Sequence, residues 1–551
     1  MFRRAVALTT LSAFLLSTWS CSVHQRIPML PETLVKHGDV VGLKRILTIS
    51  GGRIEFSTGV PAQITKDRIV VTHPEATVRV SEADLQKALE GNPLSVSQLL
   101  TKDGAEFSGE VVARAAGTIT LRALRVVVPM SEVDQVSIEK LDKGKVFLVT
   151  LGIAAVAFVS IVAVALATKE SCPFVYSYDG STYMLDGEPY GGATSPGLKR
   201  TDWDGLKYLK EVGGEYRFKV TNEVDETQYT DELKLVVVDH PRGVSVVADE
   251  RGVLHSVTAP VPPVRAFETR GRDIRSYVNE DDWVSWRSAD RDMDPEAASG
   301  TKEKLVFEFP KPAGAKRAKL VFDGGNTLWA SQMVKGFLAL RGRDLGEYYA
   351  SLSTPGPALL NLLSWNLREE LYRMNIRVST TSGWTSKGTV AGGGPFVSRA
   401  RVYTLDIADV PGDVLRIELT PAIGFWMINH LAVDYSDDVA VTAQEIEAAR
   451  AVDSRGVDIR PLLAATDNRF FAMPETGDSA DVVFNAPPRA DGLERTVILK
   501  TNGYYDIHMG SLGEPRPDIL ARVRTEPGYA VRYAWGEYRK WLVEQQAGAT
   551  R

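Results

Sequence analysis

The strongest candidate for chemistry in this chain is a short run of alternating carboxylates. Asp290, Asp292 and Asp294 are separated by single residues. In a loop, their oxygens can converge on Ca²⁺, a hard cation that prefers several oxygen ligands. Pro295 stands where a calcium loop needs a turn-forming glycine, and the closing glutamate is missing. We therefore predict a solvated acidic loop and no cofactor, with a weak calcium site at these three residues as the alternative.

Sequence motifs of catalysis are absent from the chain. It has no Gly-x-Ser-x-Gly elbow, no His-Glu-x-x-His pair and no phosphate-binding loop. Gly392–Pro395 lacks the spacing of a nucleotide loop and predicts a turn. His240 and His430 lie near matching strands of an internal repeat, where polar residues at strand ends explain them. We predict no catalytic residues and no enzyme activity, with an enzyme whose residues meet only in the fold as the alternative.

Aromatic side chains suggest a different kind of site. Trp283, Trp286, Trp384 and Trp426 could form a platform for a sugar ring if they are exposed. Tryptophan in a β-sandwich is more often part of the core. Carbohydrate binding is therefore an alternative function, and the ligand is not predicted.

The N-terminus predicts export. Met1–Arg4 is basic and Ala5–Ser20 is apolar, a pattern typical of a signal peptide over residues 1–20. Cys21 follows directly, which predicts lipidation at its thiol. The pattern departs from a lipoprotein site at Thr18, where leucine is usual, and at Trp19, where a small residue is usual. Plain cleavage and an uncleaved anchor are the alternatives.

A second apolar run, Val146–Ala167, carries no charge. As a helix it would be about 33 Å long, enough for a hydrocarbon core of about 30 Å. We predict a transmembrane helix here, with a buried core helix as the alternative. The signal peptide places residues 22–145 outside the cytoplasm, whereas the lysines flanking the run favour the opposite orientation. The side of the membrane on which residues 170–551 lie is left open.

Residues 34–142 predict a small β module. Short alternating segments bounded by glycine, proline and aspartate are typical of strands. The segment at 51–57 resembles that at 103–108, and the segment at 78–84 resembles that at 128–134. We predict two similar meanders or small barrels.

The region after the apolar run contains a longer internal repeat. Tyr216–Thr221 matches Leu415–Thr420, and Leu305–Pro310 matches Val482–Pro487. Each copy is rich in strand signals, which predicts a β-sandwich. Strand signals on both sides of Asp179-Gly180 predict a hairpin with a tight turn at these two residues, and Thr327 can cap a helix that follows it. The expected domains are a hairpin plus first sandwich at 171–330, a helical insert at 331–376, a second sandwich at 377–510 and a helical tail at 511–551. The fold class is thus mainly β, with two related sandwich modules.

Several motifs carry a family resemblance. Ser171–Gly180, Asp186–Ala193 and Asn222–Gln228 resemble a group of uncharacterised bacterial envelope lipoproteins, which pair a small β domain with a hydrophobic stretch. The resemblance implies lipidation of Cys21 and no known activity. Leu415–Asp434 resembles a strand pair of galactose-binding-like sandwiches, which implies carbohydrate or protein binding.

The amino-acid composition of the chain limits the kinds of partner that it can bind. The chain has 551 residues and a net charge of −6, which gives no general attraction for nucleic acid. With only two cysteines, no disulfide scaffold can form. We predict a membrane-anchored protein of the bacterial cell envelope that binds other envelope proteins without catalysis. Carbohydrate is the alternative partner.

Overall fold

The chain is mainly β. Of the described residues, 48% are in strands and 17% in helices, which confirms the predicted class. The two compact units comprise residues 1–167 with 282–284, and the rest of the chain. The computed structural model describes residues 26–29, 34, 39–72, 77–81, 85, 96–115, 118–139, 173–269, 271–282, 284–288, 298–510 and 513–548.

Several sequence predictions fall outside the described residues. They are the signal peptide at 1–20, the lipidation site Cys21 and the apolar run 146–167. Within the described ranges, no helix is both long and apolar enough to cross a membrane.

The first unit is one antiparallel sheet of nine strands. Strands β4 and β5 lie end to end between β3 and β8, so the sheet has eight rows. Alternate side chains, such as Ile54 and Phe56, form a continuous apolar core. The strands are β1 (Arg26–Met29), β2 (Val40–Thr48), β3 (Arg53–Ile64), β4 (Arg68–Val71), β5 (Thr77–Ser81), β6 (Val96–Leu100), β7 (Glu106–Ala115), β8 (Thr118–Pro129) and β9 (Val133–Glu139).

The two similar halves of this unit share a turn. Thr48 N–H donates to Gly52 O at 2.9 Å before β3, and Thr101 N–H donates to Ala105 O at 2.9 Å before β7. In each turn a glycine, Gly51 or Gly104, has a positive φ. The matching segments of sequence therefore encode the same local structure, because only glycine adopts this conformation without strain.

The second unit contains twenty-one strands and seven helices. The strands are β10 (Phe174–Tyr178), β11 (Tyr183–Gly187), β12 (Arg200–Gly205), β13 (Glu215–Thr221), β14 (Glu226–His240), β15 (Ser245–Ala248), β16 (Leu254–Val257), β17 (Arg265–Glu268), β18 (Trp286–Arg287), β19 (Leu305–Pro310), β20 (Arg317–Asn326), β21 (Arg373–Thr380), β22 (Gly383–Ala391), β23 (Arg399–Asp406), β24 (Val414–Leu419), β25 (Trp426–Asp434), β26 (Thr442–Ile446), β27 (Arg450–Asp453), β28 (Phe471–Met473), β29 (Ser479–Asn485) and β30 (Glu494–Ile507). The helices are α1 (Arg275–Val278), α2 (Leu328–Ala339), α3 (Leu345–Leu352), α4 (Pro357–Glu369), α5 (Arg460–Leu463), α6 (Pro517–Thr525) and α7 (Tyr529–Gly548). These counts cover the described residues of the unit.

The outer sandwich is built from strands at the start and at the end of this unit's sequence. One sheet has the order β11-β10-β13-β29-β27, and the other has β12-β30-β14-β26 with β28 also paired to β14. Side chains from both sheets share one core, in which Phe218 and Phe484 stack at 5.3 Å. The predicted Asp179-Gly180 hairpin is present as β10–β11. Its last strand pair is Tyr178 with Tyr183, so the loop has four residues and not the two of a tight turn. Within the loop, the Asp179 carboxylate accepts the N–H groups of Ser181 and Thr182.

The inner sandwich is inserted between β14 and β26. Its sheets have the orders β17-β19-β24-β21-β22 and β18-β25-β20-β23. The indole N–H of Trp286 on β18 donates to Glu268 on β17 at 3.0 Å, which links the two sheets. The two strands of the segment 415–434, β24 and β25, lie in different sheets.

The predicted sandwich boundaries at 171–330 and 377–510 are wrong. The first strands of each repeat copy do not pair with the later strands of the same copy. Instead β13 pairs with β29 and β14 with β30, whereas β24 pairs with β19 and β25 with β20. Each copy therefore completes the sandwich of the other, an exchange that hydrophobic pattern alone cannot reveal because equivalent strands offer equivalent partners.

The repeat also shows in matching hydrogen bonds. The Arg275 guanidinium binds Asp273 at 2.6 Å and donates to Val264 O at 3.2 Å. In the other copy, the Arg460 guanidinium binds the Asp458 carboxylate at 2.6 Å and donates to a backbone carbonyl at 3.3 Å. The two Asp-Ile-Arg segments thus adopt the same structure at α1 and α5.

Five helices gather into one layer. Thr327 caps α2 as predicted, its hydroxyl accepting from Ala330 N–H at 3.3 Å. Glu370, in the left-handed conformation, ends α4 before β21 begins. Trp329 on α2 packs against Trp535 on α7 at 5.0 Å. The predicted insert and tail, distant in sequence, therefore belong together as α2, α3, α4, α6 and α7.

Candidate functional site: a cavity beneath the helical layer

A cavity of about 1270 Å³ lies within the second unit, between the helical layer and the sheets. This exceeds the roughly 300–1,000 Å³ of ordinary small-molecule pockets. Its helical wall is mainly apolar, with Val334, Phe337 and Leu338 from α2, Leu362 and Trp365 from α4 and Leu520 from α6. Such a wall favours a long apolar ligand over a small polar one.

Contacts of Trp365 hold the helical wall together. Its ring meets Phe337 edge to face at 5.8 Å, and its indole N–H donates to Val523 O at 2.9 Å. These contacts join α2, α4 and α6 around one side chain. The shape of the wall is therefore set by packing and not by a flexible loop.

The sheet wall is polar and its charges are paired. Arg200 and Arg399 bind Asp202 at 3.0 and 2.6 Å. Arg401 binds Asp204 at 2.8 Å. Burial alone would favour the neutral acid, but the arginines hold the pKa of Asp202 well below its usual range. This network joins β12 of the outer sandwich to β23 of the inner sandwich.

The helical wall also carries two arginines, Arg341 and Arg524. Arg341 lies with its guanidinium 3.6 Å from the centre of the Tyr348 ring. Burial lowers the pKa of Arg341; the Tyr348 hydroxyl opposes this shift, and nearby Arg524 adds a smaller lowering effect. Among the residues that the structure describes, no carboxylate lies within ion-pair distance of either guanidinium. Asp344 and Glu347 also line the cavity, but they are exposed and lie beyond that distance.

The motif Asp186–Ala193 anchors the edge of the cavity. The Glu188 carboxylate accepts from Phe396 N–H at 2.8 Å and Val397 N–H at 3.2 Å. A Cβ at Gly394 would lie 2.1 Å from the Glu188 carboxyl carbon, so the backbone approach requires glycine. The Gly392–Pro395 segment is thus an irregular loop seated on this motif.

Titration of Asp186, in the same motif, should make the free energy of unfolding depend on pH. Burial raises its pKa to about 6, although Lys207 N–H and Tyr208 N–H donate to it. Because the pKa of Asp186 is higher in the folded chain than in the unfolded chain, the protonated carboxyl stabilises the fold. This contribution is present below about pH 4 and is lost as pH rises through about 6. The stability advantage of wild type over Asp186→Asn should fall by about 2 kcal/mol between pH 4 and 7. Urea unfolding at each pH measures this difference, and parallel curves for the two proteins would contradict it.

Among the described residues, the tryptophans and histidines singled out from the sequence do not line the cavity. Asp290, Asp292, Asp294 and Trp283 lie outside the described residues. In the described part of the chain, no group of three or more His, Cys, Asp or Glu is arranged to hold a metal ion. Trp286 and Trp426 are fully buried, so they belong to the core. Trp384 is 40% exposed, with the Lys304 ammonium 5.5 Å from its ring centre.

The histidines of the repeat are also separate from the cavity. His240 is buried at the end of β14, where its ring contacts Thr496 Oγ1 at 2.9 Å. His240 therefore lies at a strand end as predicted. His430 lies within β25, opposite Asp323 on β20, so the strand-end prediction is wrong for His430.

The cavity itself was missed by sequence reasoning. Its lining residues range from Gly191 to Arg524 and form no local motif. One signal was available in α4, whose leucines cover more than one face. Leu359 is buried, whereas Leu360, Leu363 and Leu367 are 64%, 48% and 39% exposed. A surface helix normally confines apolar residues to one stripe, so this excess indicates a second apolar environment.

Comparison with known proteins identifies no relative. No family model and no curated protein matches the chain. The arabinofuranosyltransferase AftD from Mycobacteria is 11% identical, with a TM-score of 0.15. That alignment covers 80% of this chain and 33% of AftD, so the chain spans about a third of its length. A structure of the triple jelly roll fold and turret assembly of an archaeal virus is 9% identical over 57% of this chain and 91% of that chain, with a TM-score of 0.13. Scores this low carry no argument about function.

Proposed function

We propose that this is a membrane-anchored protein of the bacterial cell envelope with a non-catalytic binding role, and that its ligand lies in the cavity beneath the helical layer. One observation carries the proposal: a cavity of about 1270 Å³ with a mainly apolar wall formed by α2, α4 and α6. The envelope location rests on the two apolar runs and on Cys21.

The size and lining of the cavity favour a ligand with a long hydrocarbon chain. Burial of apolar surface gives about 25 cal/mol per Å², so an extended chain gains affinity along the whole wall. The exposed leucines Leu363 and Leu367 of α4 also line the cavity, so apolar surface continues from the cavity to the outside. This arrangement suits a ligand drawn from a lipid environment.

A bulky side chain placed in the cavity should weaken binding of the ligand. Ala521 is exposed on α6 and lines the cavity, so Ala521→Trp adds bulk there without replacing a core residue. Labelling of the full chain in neutral nanodiscs by a photoreactive long-chain alcohol should fall roughly tenfold, since overlap in a packed space costs about 1–3 kcal/mol. Peptide mapping by mass spectrometry measures the labelling of α2, α4 and α6.

Ala350→Trp provides the matched control. Ala350 is also an exposed alanine, on α3, and it does not line the cavity. Labelling of the Ala350→Trp variant should equal that of wild type. Absence of labelling on the helical wall of the wild-type chain, or equal labelling of both tryptophan variants, would refute the proposed cavity function.

A further inference from the structure

The six arginines that line the cavity fall into two groups. The four on the sheet wall have acid partners: Arg200 and Arg399 with Asp202, Arg401 with Asp204, and Arg373 with Glu250 at 3.1 Å. The two on the helical wall, Arg341 and Arg524, have none among the described residues. The nearby arginines Arg343 and Arg522 are paired, with Glu514 at 3.1 Å and Glu526 at 2.8 Å.

Burial of a guanidinium that has no acid partner, beside an apolar wall, costs free energy unless a ligand supplies the opposite charge. Arg341 is half-buried, and its position over Tyr348 fixes the planar group in one orientation. Arg524 lies near enough to disfavour the charged form of Arg341. Two like charges therefore line one mainly apolar wall, with Arg341 half-buried and Arg524 exposed. An anion between them would offset the burial of Arg341 and the repulsion between the two guanidinium groups.

We propose that the cavity binds an amphiphile with an anionic head group, held by Arg341 and Arg524, while its hydrocarbon chain lies along the helical wall. The proposal rests on the proposed function, because it assumes that an apolar chain occupies the cavity. The shared chemistry is a carboxylate or phosphate attached to a long chain. A planar guanidinium binds either group through two parallel hydrogen bonds.

Three photoreactive probes with the same chain test the head group. They are a fatty acid, the corresponding fatty alcohol and a phosphatidic acid, each offered to the full chain in neutral nanodiscs. We expect at least one anionic probe to label the helical wall more strongly than the alcohol. The anion that labels more strongly identifies the head group, and either result supports the proposal.

Substitution of the arginines tests their role. Arg341→Gln should reduce labelling by the preferred anionic probe about tenfold, the loss expected for a charge-assisted hydrogen bond. Arg524→Gln should reduce it in the same direction. Labelling by the alcohol should stay unchanged in both variants, which also shows that the cavity remains folded. Arg343→Gln, an exposed and paired arginine of the same region, should behave as wild type for every probe.

The outcomes separate the two proposals. If the wild-type chain is labelled by none of the probes, the proposed function fails. If the alcohol labels the wall as strongly as both anions, or if Arg341→Gln leaves anionic labelling unchanged, the cavity function stands and the anionic head group is overturned.

Discussion

Replacing Arg399 with methionine is expected to lower the free energy of unfolding by about 3–5 kcal/mol, the cost of leaving buried charges without a partner. Only 6% of the Arg399 side chain is exposed. Its guanidinium binds Asp202 at 2.6 Å, lies 3.4 Å from Asp204 and also donates to the backbone carbonyl of Glu188. Methionine fills similar space but supplies neither charge nor donors.

A double-mutant cycle isolates the interaction with Asp202. Asp202 still has Arg200 as a partner, and it also accepts from Tyr190 N–H at 2.7 Å. We expect Asp202→Asn to cost about 1–3 kcal/mol less in the Arg399→Met protein than in wild type, because contacting residues are coupled. Additive losses would show that the two side chains act independently.

Urea unfolding followed by tryptophan fluorescence measures both effects. The control is Arg416→Met, since Arg416 is 48% exposed and binds Glu308 at 3.0 Å. An exposed pair contributes about 0–1 kcal/mol, so this variant should unfold close to wild type. Equal losses for Arg399→Met and Arg416→Met would contradict the assignment of a buried network.

The second large effect is expected for Gly424→Ala, which should cost about 2–5 kcal/mol. Gly424 has a φ of 80°, and a Cβ there would lie 1.2 Å from the ring of Trp329. Alanine is strained at positive φ, and the ring must also move. Because Trp329 packs against Phe425 and Trp535, movement of the ring disturbs the contact between the inner sandwich and the helical layer.

Gly412→Ala separates the two causes. Gly412 has a similar φ of 72°, but a Cβ there meets nothing within 4 Å. Its cost should be limited to about 1–2 kcal/mol for the backbone conformation. The larger loss for Gly424→Ala then measures the steric contact, and equal urea midpoints for the two variants would rule that contact out.

Local structure was largely predictable from the sequence. The Asp179-Gly180 hairpin and the helix cap at Thr327 depend on a few neighbouring residues, and the structure contains both. The repeat was visible for the same reason, since Asp273 and Asp458 make the same local contacts to the arginine two residues later. Which copy supplies each partner strand depends on contacts between distant segments, and the sequence pattern is the same for either pairing.

The cavity was not predictable, because no short segment encodes it. Arg341 and Arg524 are about as distant in sequence as the two repeat copies, and only the packing of α6 onto α4 places both on one wall. What distinguishes these arginines is the lack of an acid partner among the described residues. That property belongs to the fold and cannot be read from residue type.

The exchange of strands between the repeat copies imposes an order on folding during synthesis. The inner sandwich is complete once β25 has emerged, whereas β13 and β14 wait for β29 and β30. On the order of 250 residues separate β14 from β30, so at about 5–20 residues per second the wait is about 10–50 s. During that time β13 and β14 lack β29 and β30, and apolar side chains that the finished sandwich buries stay exposed on the nascent chain.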